Sequence, residues 1–339
     1  MDSVSQAALG AAVGEVVLGN KIGRKASILG AIVGTLPDLD VLLLPFYSSL
    51  ARISIHRGLS HSIFFAILAA ALLAFAFRRF KWTKTITYLR LFIFAYLVWL
   101  THVLLDAFTT YGTQLYLPFS NKRVSWDSVN LVDPLYTVPL LLALALCAFA
   151  FKSNPIKKWQ SVYVGLGVSS LYLLFTLWNK QQVVQSFETE LQSQGIPYNE
   201  LLTVPVKLAN IHWYGVAKSD ETLYIGQYNR IAKSNVNFHA FPIRNELLET
   251  VDANTADKMK WFAKDFYVVD NQDEKIQFYN LQCDMQGIIE TDSFKAPTAF
   301  YFEMKVLENG VTELKVGQHQ KQRNPMSFMK TLFPMENEL

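Results

Sequence analysis

"HRGLSH", residues 56–61, stands immediately before an almost unbroken apolar run, residues 63–77, and its reading decides the fold. Two histidines and an arginine belong at the doorstep of a lipid-facing helix only if other polar groups meet them there. The chain has 339 residues, is 51% hydrophobic and carries a net charge of +3. Its apolar residues crowd the part before about residue 180, so two regimes are expected: a membrane-embedded region, 1–180, and a soluble region, 181–339. No long basic run is present, which gives no reason to invoke nucleic acid. Of the two cysteines, Cys147 falls in an apolar span and Cys283 in the polar half, so a disulfide between them is not expected. The N-terminus begins with an acid and lacks a basic n-region, unlike a cleaved signal peptide.

Four segments, 62–77, 89–108, 135–151 and 161–178, are apolar enough to span, since roughly 20 helical residues cross a ~30 Å hydrocarbon core. Two more, 4–19 and 26–44, are shorter or interrupted by "TLPDLD", where Pro37 removes a donor and the aspartates are costly in lipid. The expected fold is therefore an α-helical integral membrane domain of four to six spans. Basic loops around residues 21–25, 78–90 and 152–158 are cytoplasmic under the positive-inside rule. That rule puts the "HRGLSH" end, the loop 109–134 and everything after Trp178 on the extracytoplasmic side of a bacterial inner membrane.

Counting up from the cytoplasmic charges at about 1.5 Å per residue, Asp38 lies ~20 Å above Lys25 and His61 ~26 Å above Arg78. By the same rise His102 lies ~18 Å and Asp106 ~24 Å above Arg90. Ionisable groups from three segments thus arrive at one level in the outer leaflet, with Asp40 and His56 close to them in sequence. In "THVLLDAF" His102 and Asp106 are one helical turn apart and share a face, a spacing that suits a divalent ion but is weak alone. Taken singly, a hydrogen-bonded helix pair, a turn or cap at "PDLD", and interfacial anchoring at "HRGLSH" are the commoner fates. The conjunction shifts the balance. A buried acid costs about 3 kcal/mol at a span's centre, and a cation held by some subset of Asp38, Asp40, His56, His61, His102 and Asp106 removes that cost.

The ordered motifs "MDSVSQAALGAAVGE", "GTLPDLDVL", "HRGLSHS" and "HVLLDAFTTYGTQLYLPFSNKRVSWDSVNLVDPLY" resemble the YdjM-type membrane-bound, metal-dependent hydrolases, grouped with the zinc-dependent phospholipase C-like superfamily. The resemblance covers residues 1 to about 140. It implies that Asp38, Asp40, His56, His61, His102 and Asp106 line the metal site. Many relatives have a histidine where this chain has Gln6.

Metal-assisted hydrolysis is consistent with both lines of reading. One or two divalent ions, zinc first and manganese or magnesium next, would acidify water and polarise a scissile group. Asp38 or Asp40 is the candidate base, though either can be a ligand, and Arg57 is the candidate anchor for an anionic substrate, with headgroup contact as the plain alternative. Arg123 is a weaker candidate of that kind. Glu15 sits too deep for the site, and Asp133 reads as a helix cap. An outer-leaflet site favours a membrane lipid or lipid-linked phosphoester.

The second half reads as a small extracytoplasmic α+β domain with an antiparallel sheet over about 185–330, and a possible seat for a protein partner. A polar helix ending at Gly195 opens it. "VPVKLANIHWYGVAKSDETLYIGQYN" and "FYVVDNQDEKIQFYN" are strand pairs about polar turns, Asn309-Gly310 marks another hairpin, and "ELLETVDANTADKMKWFAKDF" reads as helical. His212, His239 and His319 have no ligand spacing. Two competing readings are a metal-ion or proton transporter and a non-catalytic scaffold with a structural metal. Acids spread through the membrane depth would favour the first, and a closed ligand set the second.

Overall fold

The computed structural model describes residues 1–151, 153–206, 210–233, 235–272, 275–282, 300–307 and 312–318. Lys152, Cys283, Asn309, Gly310 and His319 lie outside the described residues.

Helix α1 (Ser3–Ile22) starts under Asp2, whose carboxylate accepts the amides of Val4 and Ser5, and stops at Gly23 with φ 57°. Helix α2 (Lys25–Thr35) folds straight back on it. The sequences "LGAAVGE" and "LGAIVGT" place Gly10 and Gly14 on one helix opposite Gly30 and Gly34 on the other. A Cβ on Gly30 would lie 2.1 Å from the Gly10 carbonyl oxygen, and one on Gly14 would lie 2.4 Å from that of Ala26. The two backbones therefore touch, in the way small residues allow within membranes.

After Leu36 the chain tightens into a ten-residue 3-10 helix, Pro37–Phe46, with Pro37 at its start where no amide donor is needed. Helix α3 (Ser49–Ile55), the "HRGLSH" link with a short 3-10 turn at Leu59–His61, and α4 (Ile63–Phe77) follow, the last capped by Ser62. Helix α5 (Tyr88–Ala107) carries His102 and Asp106 near its end. The loop to α6 (Pro134–Ala145) is pinned by bridges Thr109 to Val129 and Thr113 to Val124. Asp133 caps α6 by accepting from Leu135, which agrees with its sequence reading.

Among the described residues, three helical stretches are long and apolar enough to cross a membrane: Lys25–Phe46, Tyr88–Ala107 and Pro155–Ser193. A fourth is counted if Ser49–His61 and Ile63–Phe77, bent by 60°, form one span. The sequence reading of four to six has identifiable gaps. Residues 135–151 contain Pro139 and end in a π turn, Leu146–Ala150, which leaves a shorter apolar helix. Helix α1 is rich in Gly and Ala because its faces pack on α2, α5, α6 and α7 rather than on lipid.

Helix α7 (Pro155–Ser193) runs unbroken for 39 residues. The sequence suggested a separate polar helix after Trp178, but no glycine or proline interrupts residues 168–194. A polar band marks the change of surroundings: Asn179 donates to the Asn210 carbonyl and Lys180 to that of Trp126. Farther on, Val183, Phe187 and Leu191 are buried, with Val183 and Phe187 packing with Trp213, Tyr228 and Val236 of the β half.

The β half is two antiparallel meanders rather than one small sheet: β1 (Glu200–Pro205), β2 (His212–Lys218), β3 (Thr222–Asn229) and β4 (His239–Pro242), then β5 (Tyr267–Gln272), β6 (Lys275–Asn280), β7 (Phe300–Val306) and β8 (Thr312–Gln318). Between β4 and β5 the chain forms α8 (Ala253–Ala263) instead of a hairpin, so the ladder does not continue. The strand pairs expected within 204–229, 266–280 and 299–318 are present as β2–β3, β5–β6 and β7–β8. One apolar core joins both sheets, α8 and Ile53 of α3, which docks the β half onto the "HRGLSH" side of the helical half.

Candidate metal centre

Asp38, His61, His102 and Asp106 come from the 3-10 helix, the "HRGLSH" link and α5, and each offers a ligand atom within 4.8 Å of the others. His61 and His102 are buried, as is Asp106, while the Asp38 side chain keeps 24% of its surface open. The four groups expected at one level by helical rise thus meet in one place.

His61 Nε2 lies 3.2 Å from His102 Nε2, 3.3 Å from Asp38 Oδ1 and 3.3 Å from Asp106 Oδ2. His102 Nε2 lies 3.5 Å from Asp38 Oδ1 and 3.8 Å from Asp106 Oδ2. A tetrahedral ion with N and O bonds of about 2.0–2.1 Å sets its donors about 3.3–3.4 Å apart, so these separations fit the edges of such a tetrahedron. A second observation points the same way. Asp106 Oδ2 is buried and takes no hydrogen bond: Arg57 Nε is 3.1 Å away but misaligned. The His/Asp group is therefore suited to a metal ion.

Asp38 and Asp40 divide because the 3-10 helix has three residues per turn, which sets them about 120° apart around the axis. Asp38 faces His61 Nε2, whereas Asp40 faces the opposite edge of the ring, with Oδ2 3.5 Å from Nδ1. Asp40 also takes His56 Nδ1 at 3.0 Å and the Arg57 amide at 3.0 Å. His56 lies outside the four-residue group, its ring against Tyr111 at 5.5 Å.

Arg57 adopts φ 55° and turns its side chain inward, where Nη1 donates to Thr109 Oγ1 at 2.8 Å and the guanidinium lies 5.0 Å from the Tyr111 ring. It is buried against Asp106, not open to an incoming anion. Gln6 reaches the site: Nε2 donates to Asp106 Oδ1 at 2.9 Å and to the His102 carbonyl at 3.3 Å. The amino group of Met1 also contacts Asp106 Oδ1.

Arg123 contacts none of the four candidate ligands but shares the Tyr111 ring with Arg57. Its guanidinium sits among Tyr111, Trp261 and Phe262 and donates to the Phe262 carbonyl at 2.8 Å, clasping the loop after α5 to α8. Glu15, well below the site in sequence, pairs with Lys158 at 2.6 Å and accepts from Ser27 at 2.7 Å. His212 and His239 are on β strands far along the chain and belong to no metal-ligating group among the described residues. Sequence reasoning passed over Ser60, Thr109, Tyr111 and the carbonyl of Gly34. A hydroxyl or a main-chain oxygen has no spacing signature; the paired G-x-x-x-G spacing at Gly10/Gly14 and Gly30/Gly34, not read in the sequence, is the signal that could have marked Gly34 as a close-approach position.

Comparison with known proteins agrees with this half of the molecule. A profile of the YdjM inner membrane protein family matches residues 1–183. The uncharacterized protein YfhP of Bacillus subtilis is 26% identical over 246 residues, 68% of this chain and 72% of its own length. The inner membrane protein YbcI of Escherichia coli is 34% identical over 131 residues, 36% of this chain and 73% of its own. No solved structure gives a significant match.

Proposed function

The chain belongs to the YdjM inner membrane protein family, and on that premise we propose that it is a membrane-bound, metal-dependent hydrolase acting on a lipid or lipid-linked phosphoester. One observation carries the reading: two imidazole Nε2 atoms and two carboxylates approach at tetrahedral separations around a buried, unsatisfied carboxylate oxygen. Zinc is the ion we favour, since N and O donors in four-fold array suit it.

A bound divalent ion would supply acidified water and polarise the scissile group. The protein's share is placement. His61, His102, Asp38 and Asp106 would hold the ion, and Arg57 steadies Asp106 through charge. Four protein donors close a tetrahedron, so hydrolysis requires one to yield its place to water; Asp38 is the most open of the four, and we assign it that exchange and the proton-accepting role. Glu15 is closed by Lys158 and Ser27, which supports an enzyme over a transport pathway through the membrane. The basic loops put the site and the β half outside the cytoplasm in this reading, where a lipid headgroup is the nearest phosphoester.

The test begins with metal content per chain in detergent-purified protein, wild type beside His102→Ala, without chelator. Stoichiometric zinc in wild type alone, with metal-dependent cleavage of phosphodiester and phospholipid probes, is expected. Wild type without metal after reconstitution removes the chemistry. Metal without cleavage of any such probe leaves a structural site. A topology reporter after Leu339 should read as extracytoplasmic, and cytoplasmic signal there overturns the lipid-outer-leaflet argument.

A further inference from the structure

Hydrogen-bond accounting shows where the protons of the two central histidines sit. His102 Nδ1 lies 2.6 Å from the Gly34 carbonyl oxygen, which only accepts, so Nδ1 carries the hydrogen and Nε2 the lone pair. At His61 the same result comes through an intermediary. Ser60 Oγ donates to Asp40 Oδ2 at 3.0 Å and lies 2.9 Å from His61 Nδ1. A carboxylate accepts, so the single hydroxyl hydrogen is committed to Asp40. Ser60 Oγ must then accept from His61, which puts a hydrogen on Nδ1 and, in the neutral imidazole that a metal takes, the lone pair on Nε2.

The relay is held at both ends. Trp99 of α5 donates its indole N–H to the Ser60 carbonyl at 2.9 Å. Asp40 is fixed by the Arg57 amide at 3.0 Å and by His56 Nδ1 at 3.0 Å. Two lone pairs 3.2 Å apart repel unless a positive charge sits between them. A histidine that binds metal commonly has its other nitrogen fixed by such an outer partner.

We infer that Ser60 and Asp40 form an outer relay that locks His61 as its Nδ1–H tautomer and aims Nε2 at the ion, which makes both of them positioning residues. Asp40 is then neither a metal ligand nor the proton acceptor, and His56 steadies the relay from the far side of Asp40. The inference rests on the metal-binding part of the proposed function and is independent of which bond is cleaved.

The experiment uses the full chain in detergent, titrated with zinc(II) and with cobalt(II), whose visible absorption reports ligand geometry. Ser60→Ala should bind both ions about 10-fold more weakly and change the cobalt spectrum, Ser60→Thr should restore both readouts, and Asp40→Asn should weaken binding about 10-fold yet keep one ion per chain. His61→Ala, lacking a ligand, should lose the ion. Wild-type affinity and spectrum in Ser60→Ala overturn the relay. Complete loss of the ion in Asp40→Asn, matching His61→Ala, makes Asp40 a ligand and also overturns it. Nitrogen NMR of histidine-labelled, metal-free protein separates this inference from the metal reading. An Nδ1–H signal that vanishes in His61→Ala and loses its single tautomer in Ser60→Ala supports the relay even in a chain that takes no ion. A His61 that carries its hydrogen on Nε2 and none on Nδ1 in wild type rules it out.

Discussion

Among the described residues every buried carboxylate, guanidinium and imidazole lies in the helical half, between Glu15 and Asp133. The polar groups buried in the β half, Thr203, Asn210, Thr255, Gln277, Asn280 and Gln282, are all neutral. The surfaces differ in the opposite sense. Large exposed hydrophobics run from Val4 to Trp178 in the helical half, while the β half exposes Ile231, Val306, Leu307 and Val316. One half is apolar outside with charge gathered inside, and the other follows the pattern of a water-soluble domain. The same chain is thus built for two solvents, and only the part built for lipid pays for buried charge, which it concentrates where an ion fits.

The sharpest way to break this contrast is Asp106→Ala, which should abolish metal binding while the protein still inserts, as elemental analysis of membrane-extracted protein would read. Retention of the ion there would make the helical charges merely structural. Next in size is the glycine seam. Gly30→Ala forces a Cβ to 2.1 Å from the Gly10 carbonyl oxygen and should destabilise by about 1–3 kcal/mol in detergent melts. Gly167→Ala on α7 meets nothing within 4 Å and should instead stabilise by about 0.5–1 kcal/mol. Equal effects at the two positions would mean that the hairpin is not packed backbone to backbone.

Arg123→Ala removes a cation held among three rings and should loosen the β half by about 1–2 kcal/mol, visible as faster proteolysis between the halves with metal affinity unchanged. A matching fall in metal affinity would join the two halves into one functional unit. The smallest effect belongs to the exposed ion pair Lys275 to Glu303, at 3.2 Å. Lys275→Ala should shift stability by less than about 0.5 kcal/mol, and a larger loss would show that charge matters in the β half too.

How much of this was legible depended on the kind of signal. Helical rise alone brought Asp38, His61, His102 and Asp106 to one height, because depth in a membrane depends on residue count and not on partners. The polar turn at Ser219 and Asp220 predicted the β2–β3 hairpin, since alternation and turn chemistry are local. The choice between Asp38 and Asp40 was not legible. Residues two apart diverge under either a 3-10 or an α period, but which of the two meets His61 Nε2 is set by how the 3-10 helix Pro37–Phe46 docks, and the sequence does not encode that docking. Ser60 gave no signal because a hydroxyl relay is a property of three dimensions. The continuity of α7 was hidden by its change in polarity at Asn179 and Lys180, which marks a change of surroundings rather than a break in the backbone. The helix α8 was legible in the sequence, but not that its insertion between β4 and β5 ends one ladder and starts another.

The glycine seam between α1 and α2 also limits how this protein can be taken apart and recombined. A contact made by main chain on main chain contains no side chain that can be trimmed to suit a new neighbour. Gly34 sits in that contact and seats His102 through its carbonyl, while Gln6, one turn from Gly10, reaches Asp106. In a chimera between two relatives, residues 1–35 would have to travel as a single cassette together with α5. A crossover placed inside the hairpin would separate each helix from the main-chain surface cut to fit it, and the metal centre would be inherited in halves.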